Sequence, residues 1–330
     1  MVYAIETRDL RKSFVQKRKG KQETVEAVRG VTLAVKAGEI FGFLGPNGAG
    51  KTTTLRMLTT LLPIDGGEAT IAGLDLSRQA QQVRRRIGYV SQSGGADQAA
   101  TGRENLMLQA QLYGLARPQA QARVEELMEM FALGDFIDRI ARTYSGGQKR
   151  RLEVALGLVH RPQVLFLDEP TTGLDPQNRA GLWDHIRQLR SAGTTVFLTT
   201  HYLEEADALA DRLAIMDHGR IIAEGTPQEL KRQIAGDAVI VRYGQAETVE
   251  EARQRLSGQP FLREIHVEKD ALHLYVEDGV KAIPRILELL QARGIPPQTA
   301  MISQPTLDDV FLKHTGRSLR DAGASGEGAH

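Results

Sequence analysis

The chain has 330 residues, more than one domain usually takes, and 41% of them are apolar, so two domains with a real core are expected. Its 42 basic residues stand against 41 acidic ones, and this balance argues against nucleic-acid binding by bulk charge, though not against a local patch. There is no cysteine, which excludes disulfides, thiolate zinc sites and cysteine nucleophiles and fits a reducing cytosol.

In chain order, the N-terminal residues Met1-Val2-Tyr3-Ala4-Ile5-Glu6 carry no apolar signal core. No run reaches the ~18 apolar residues of a membrane span. The chain is expected to be soluble by itself and to meet a membrane only through a partner. Residues 15–24 hold Lys17, Arg18, Lys19 and Lys21 and read as an enlarged, solvated basic turn. Residues 40–44 (IFGFL), 164–167 (VLFL) and 195–198 (TVFL) read as buried strands between helical patterns, the mark of an α/β domain, here bounded at residues 1–235. Over about 95–144 the pattern turns helical, with Leu106, Ala110 and Tyr113, then Val124, Leu127, Met128 and Phe131. This stretch reads as a helical insertion. Ser145 reads as the N-cap of a helix whose Leu152, Ala155, Leu156 and Val159 face the core, stopped by Pro162.

A different texture begins at residue 236. Residues 238–243 form a strand, 248–256 a helix, 262–268 and 272–277 a hairpin, 280–293 a helix and 299–303 a last strand. Ile283, Ile286, Leu287 and Leu290 share one face of the second helix, and Pro284 sits in its first turns. The order β-α-β-β-α-β is ferredoxin-like. Residues 236–316 are thus expected as a small accessory α+β domain, and 317–330, rich in Gly, Ala, Ser and charge, as a disordered tail.

Three segments carry chemistry. Gly45-Pro46-Asn47-Gly48-Ala49-Gly50-Lys51-Thr52 fits G-x-x-x-x-G-K-[ST], between a strand and an apolar helix with Leu55, Leu58, Leu61 and Leu62. Its glycines let backbone amides approach phosphates, Lys51 reaches the β- and γ-phosphates, and the Thr52 hydroxyl ligates Mg²⁺. Strand 164–167 ends in Asp168-Glu169-Pro170: Asp168 suits Mg²⁺ held through water, and Glu169 suits a general base for the attacking water. Tyr144-Ser145-Gly146-Gly147-Gln148 opens a helix with a serine and two glycines, which reads either as an ordinary capped helix or as a second anion cradle. One nucleotide does not need two γ-phosphate cradles in one chain. The second cradle therefore points to a dimer in which each chain closes over the other's nucleotide.

In order and spacing these segments resemble the ABC ATPase family over about residues 4–230. The resemblance implies a P-loop NTPase cassette, a mixed-sheet core with a helical insertion, that binds and hydrolyses ATP with Mg²⁺. It makes 45–52, with the adjoining Thr53, the Walker A motif; Gln92 the Q-loop glutamine, a further Mg²⁺ or water contact; and 145–148 the signature. Asp168-Glu169 ends the Walker B motif, Asp175 is the D-loop aspartate that reaches the dimer partner, and His201 is the switch histidine at the γ-phosphate. Phe14 stands where the family has an aromatic stacked on adenine. Residues 217–226 (DHGRIIAEGT) and 307–316 (LDDVFLKHTG) look similar to ATPases of bacterial drug exporters of the daunorubicin-resistance type. Locally, 307–312 reads as an amphipathic helix with Leu307, Val310 and Phe311 inward.

That resemblance implies an integral membrane permease and a second copy of the chain as partners, no nucleic acid, and a peripheral place on the cytoplasmic membrane face. Exporters of polysaccharide, lipo-oligosaccharide or ions are the alternative. A soluble ABC ATPase of translation or repair fits less well, since one cassette is present and long coiled coils and zinc cysteines are not.

Overall fold

In the computed structural model, the described residues are 2–18, 21–234, 237–243, 246–268, 270–292, 294–303 and 305–319. They divide into two compact units, residues 1–222 and 223–330.

The first unit opens with a hairpin of β1 (Tyr3–Arg18) and β2 (Lys21–Lys36), followed by β3 (Ile40–Leu44) and α1 (Lys51–Leu58). Then come β4 (Gly66–Ile71), β5 (Leu74–Asp75), α2 (Ala80–Arg86) and β6 (Ile87–Val90). The inserted helices are α3 (Gly102–Leu112) and α4 (Arg117–Met130), and α5 (Gly146–Leu158) leads to β7 (Val164–Asp168). α6 (Pro176–Ser191), β8 (Thr195–Thr200), α7 (Leu203–Leu209) and β9 (Arg212–Asp217) complete the series, and β10 (Arg220–Gly225) runs across the division at residue 222.

Two sheets result. β2-β1-β4-β5 is antiparallel, and β10-β9-β3-β8-β7-β6 is parallel from β9 to β6. The apolar runs explain the parallel sheet, because its central strands are buried on both faces. Phe41, Phe43, Val164, Phe166 and Phe197 point to one core, where Phe197 lies 5.5–5.6 Å from the rings of Phe41, Phe43 and Phe166. The alternating residues Ile40, Leu165, Leu167, Val196 and Leu198 point to the other, which Leu106, Ala110, Val124, Leu127 and Phe131 of the insertion share. The insertion is therefore held by its apolar stripe, and Thr101 starts α3 with a capping box to Glu104.

Several expectations need correction. Residues 15–24 are not a solvated turn: β1 and β2 stay paired, Phe14 with Val25, Val15 with Thr24 and Arg18 with Lys21. The β-branched residues along both strands favour extended pairing over the charge signal, and only Lys19 and Gly20 lie outside the described residues. α1 stops at Leu58 because Thr60 takes a left-handed φ of 63°, leaving Leu61 56% exposed rather than in the core. On α5, Leu152, Ala155 and Val159 are buried as expected, but Leu156 is only half-buried. Tyr113 turns outward and stacks on His160 at 3.7 Å.

The second unit contains α8 (Pro227–Arg232), β11 (Asp237–Arg242), α9 (Ala246–Leu256), β12 (Leu262–Glu268), β13 (Ala271–Val276), α10 (Gly279–Gln291), β14 (Thr299–Ser303) and α11 (Leu307–Thr315). The sheet order β12-β13-β11-β14, antiparallel throughout, is the ferredoxin-like split β-α-β. Val239, Val241, Leu272, Leu274 and Val276 pack with Val249, Leu256, Ile286 and Leu290 of the two long helices. Leu287 is only half-buried. The alternating residues His273 and Tyr275 face α11, where the Tyr275 hydroxyl donates to Asp309 at 2.6 Å. Leu307, Val310 and Phe311 are buried as expected. Of the expected tail, Ser318 and Leu319 are buried, and residues 320–330 lie outside the described residues.

Candidate active site

Strands β3, β8, β7 and β6 are neighbours and run the same way, so their carboxyl ends share one edge of the sheet. Ligands of open α/β sheets bind at that edge. Leu44 leads into the glycine loop, Thr200 into His201, Asp168 into Glu169 and Val90 toward Gln92. Segments far apart in sequence meet there for that reason alone.

The loop's glycines are sterically required. Gly48 and Gly50 have φ of 79° and 104°. A Cβ on Gly45 would lie 2.3 Å from the Met216 carbonyl, and one on Gly50 2.4 Å from the Ala27 carbonyl. Gly50 supplies no side-chain cap to α1, so the first amides of that helix remain available to an anion. Pro46 and Ala49 are buried, Asn47 is exposed, and Thr52 and Thr53 are half-buried on the first turn of α1. Lys51 is 4% exposed, and its Nζ donates to the carbonyls of Gly45 at 2.7 Å and Pro46 at 3.0 Å. Burial pushes its pKa down, against the pull of Glu169 and Asp168. Among the described residues this buried ammonium meets two loop carbonyls and one carboxylate 3.8 Å away, which suits a cradle for phosphate oxygens.

The acidic pair is built tightly. Thr52 Oγ1 donates to Asp168 Oδ1 at 3.2 Å and Thr199 Oγ1 to the same oxygen at 2.6 Å. A hydroxyl beside a buried carboxylate is a hard-oxygen set that fits Mg²⁺. Glu169 has a left-handed φ of 44°, with its amide held by the Thr199 carbonyl at 3.1 Å. Such strain in a non-glycine residue persists where surrounding structure imposes it. Its carboxylate receives Gln92 Nε2 at 3.1 Å and Thr172 Oγ1 at 3.3 Å, and lies 3.2 Å from His201 Nδ1. Burial works to raise the Glu169 pKa, but His201, Lys51 and Thr172 outweigh it and hold it below the usual value. Thus Lys51, Thr52, Gln92, Asp168, Glu169 and His201 come together.

The remaining expected residues lie elsewhere. Ser145 caps α5, its Oγ accepting from the Gln148 amide at 3.3 Å while Gln148 Oε1 accepts from the Ser145 amide at 3.0 Å. Gly147 is pressed on α6, where a Cβ would sit 2.2 Å from Asn178 Oδ1, and Gly146 faces Leu174. Asp175 caps α6 by accepting from the Asn178 amide at 2.9 Å, which lowers its pKa. Among the described residues, no hydrogen bond or ion pair joins 145–148 to the 45–52 loop. Phe14 is half-buried with the Lys12 ammonium 5.7 Å from its ring centre, on the hairpin whose Ala27 packs against Gly50.

Two residues escaped the sequence reading. Thr199 orients Asp168. Arg150 is 6% exposed on α5, and its guanidinium donates to the carbonyls of Ser91 at 2.8 Å, Asp168 at 3.1 Å and Pro170 at 2.7 Å. It thereby clamps the segments that carry Gln92 and Glu169. The available signal was helical phase: Arg150 shares a face with the apolar Val154.

Residues 28–172 match the ABC transporter family, and residues 225–315 match the ATP-binding protein DrrA1-3-like, C-terminal domain. The chain is 43% identical to a daunorubicin resistance ATP-binding protein of Streptomyces coeruleorubidus over 98% of both chains. It is 40% identical to a Nod factor export ATP-binding protein of Burkholderia orbicola over 89% of this chain and 93% of that one. Among solved structures it resembles, at 26% identity and a TM-score of 0.60, an ATP-binding cassette of an ABC transporter in its ADP conformation, covering 69% of this chain and 93% of that one.

Proposed function

Because this chain belongs to the ATP-binding subunits of ABC transporters, in the group that includes the daunorubicin resistance proteins, we propose that it powers efflux of a drug through a separate membrane-spanning partner. Among the described residues no helix is long and apolar enough to cross a membrane. We place the chain on the cytoplasmic face of that partner. The 40% identity to a Nod factor export protein favours, as the second reading, a lipo-oligosaccharide cargo.

The single observation that carries the ATPase reading is the Glu169 carboxylate, held by Gln92, Thr172, His201 and Lys51 beside Asp168. The substrate is ATP with Mg²⁺, and the metal would neutralise charge on the transferred phosphoryl group. Lys51 would exchange its loop carbonyls for phosphate oxygens, the first amides of α1 would bind the same oxygens, and Thr52 with Asp168 would hold the metal. Phe14 would stack on adenine. Glu169, kept ionised, takes the proton of the attacking water, and His201 and Gln92 hold it in place.

The signature turn 145–148, which among the described residues shares no hydrogen bond or ion pair with the 45–52 loop, serves a second copy of the chain. Two chains close head to tail over two nucleotides, Ser145 and the amides of Gly146 and Gly147 binding the partner's nucleotide and Asp175 reaching across. Charge-assisted hydrogen bonds of ~1.5–3 kcal/mol each would supply much of the closure. Loss of the γ-phosphate would reopen the pair. Anthracycline efflux is the direct test of cargo: cells expressing the chain with its membrane partner should export the drug, and cells carrying Lys51→Ala should not. Export of a lipo-oligosaccharide instead would move the cargo to the second reading.

A further inference from the structure

His201 is followed by a segment with an unusual interior. Glu205, on α7, is wholly buried, and among the described residues no cation lies within ion-pair distance of it. Its Oε1 accepts from Trp183 Nε1 at 3.2 Å. Its Oε2 is buried without a hydrogen-bond partner, and so is the hydroxyl of fully buried Thr171. The Thr171 and Thr200 hydroxyls face the carboxylate, and the Thr200 hydroxyl already accepts from the Tyr202 amide at 2.9 Å. One turn earlier on α6, the Arg179 guanidinium lies 4.8 Å from the ring centre of Tyr202, which itself lies 4.1 Å from the His201 ring. Arg179 and Trp183 thus share the face of α6 that grips residues 200–205, and α6 is the helix capped by Asp175.

We infer that Glu205 is a positioning residue for His201: kept uncharged, its carboxylic acid ties the switch segment to Thr171, in the turn after Glu169, and to Trp183 on the D-loop helix. An ionised carboxylate buried without an ion-pair partner is costly, and a neutral, hydrogen-bonded one much less so. The neutral acid can satisfy the same partners, Oε1 accepting from Trp183 and Oε2–H donating to the Thr171 oxygen. Burial pushes the carboxyl pKa up and outweighs the hydrogen bonds from Thr200, Thr171 and Trp183 and the Arg179 charge, which favour the ionised form. Movement of α6, which starts at Asp175, would then be felt at His201 through Trp183–Glu205 and Arg179–Tyr202. This rests on the reading that His201 and Glu169 serve hydrolysis.

The test measures ATP affinity and kcat on the full chain for Glu205→Ala, Glu205→Gln, His201→Ala and the double variant Glu205→Ala/His201→Ala. Glu205→Ala should leave ATP affinity within about twofold, which reports an intact fold, and lower kcat by roughly tenfold to a hundredfold through misplacement. The double variant should match His201→Ala alone, since the effect passes through His201. Glu205→Gln, neutral and able both to donate and to accept, should retain most of kcat. Full activity in Glu205→Ala, multiplied losses in the double variant, or a Gln variant as poor as the Ala variant would each overturn the inference. Full activity in His201→Ala would instead overturn the site reading, and this inference with it.

Discussion

At the scale of single residues, Glu169 is the sharpest point. It is half-buried, which works to raise its pKa, yet His201, Lys51 and Thr172 keep that pKa below the usual value. It therefore stays ionised to lower pH than an ordinary glutamate, and any acid limb it contributes to kcat/KM should lie below pH 4.5. His201→Ala removes one of the stabilising neighbours and should move that limb upward. Glu169→Gln should lower kcat by ~10²–10⁴, keep ATP binding and trap an ATP-bound dimer detectable by light scattering; unchanged turnover would remove the role given to Glu169. Asp168, Glu169 and Lys51 were legible because each lies in a short motif whose chemistry is local. Arg150 was not. An arginine two residues after Gln148 in a charged run reads as solvated, and only the packing of α5 against two strand ends turns it inward.

At the scale of elements, Arg150 joins α5 to the segments around Ser91 and Asp168, so Arg150→Ala should leave three carbonyls without their donor. Each unsatisfied buried group costs ~1–3 kcal/mol, so urea unfolding of the first unit should show a loss of about 3 kcal/mol or more. In the second unit α11 is held to β13 through Asp309, whose pKa falls to about 2 as the neighbouring His273 and the hydrogen bonds from Thr306 and Tyr275 outweigh burial. The drop from 3.8 corresponds to about 2 kcal/mol. That stability is present above pH 3.8 and is lost as pH falls through about 2. His273, 3.4 Å from Asp309, is shifted upward: burial lowers its pKa, but Asp309 and Glu268 outweigh it. Its contribution is present below 6.5 and is lost as pH rises through the raised value. The melting temperature of the wild-type chain should therefore exceed that of Asp309→Asn most between about pH 4 and 6.5. A constant gap across pH would show that Asp309 acts only as a neutral cap of α11. The order of strands and helices was legible here from periodicity. The hairpin at 15–24 was not, because four basic side chains mimic a solvated turn while strand pairing is decided by the partner strand.

At the scale of the whole molecule, the separation of the 145–148 turn from the 45–52 loop predicts composite sites. Lys51→Ala and Ser145→Arg chains should each be inactive alone. Mixed in equal amounts, they should recover roughly a quarter of wild-type ATPase, because half the dimers pair unlike chains and each of those has one intact site. Full activity of the Ser145→Arg chain alone would mean that a single chain completes its own site.

Local sequence was enough for nucleotide binding, for the places of the glycine loop and the acidic strand end, and for the order of elements in both units, since glycine loops, strand-end carboxylates and hydrophobic periods are set by neighbours along the chain. Tertiary packing alone set which way Arg150 and Leu61 face, that residues 15–18 and 21–24 are strand, and that Gln92 and His201 converge on the Glu169 carboxylate. Those outcomes depend on which strands lie side by side, a matter of long-range packing that no local run of residues contains.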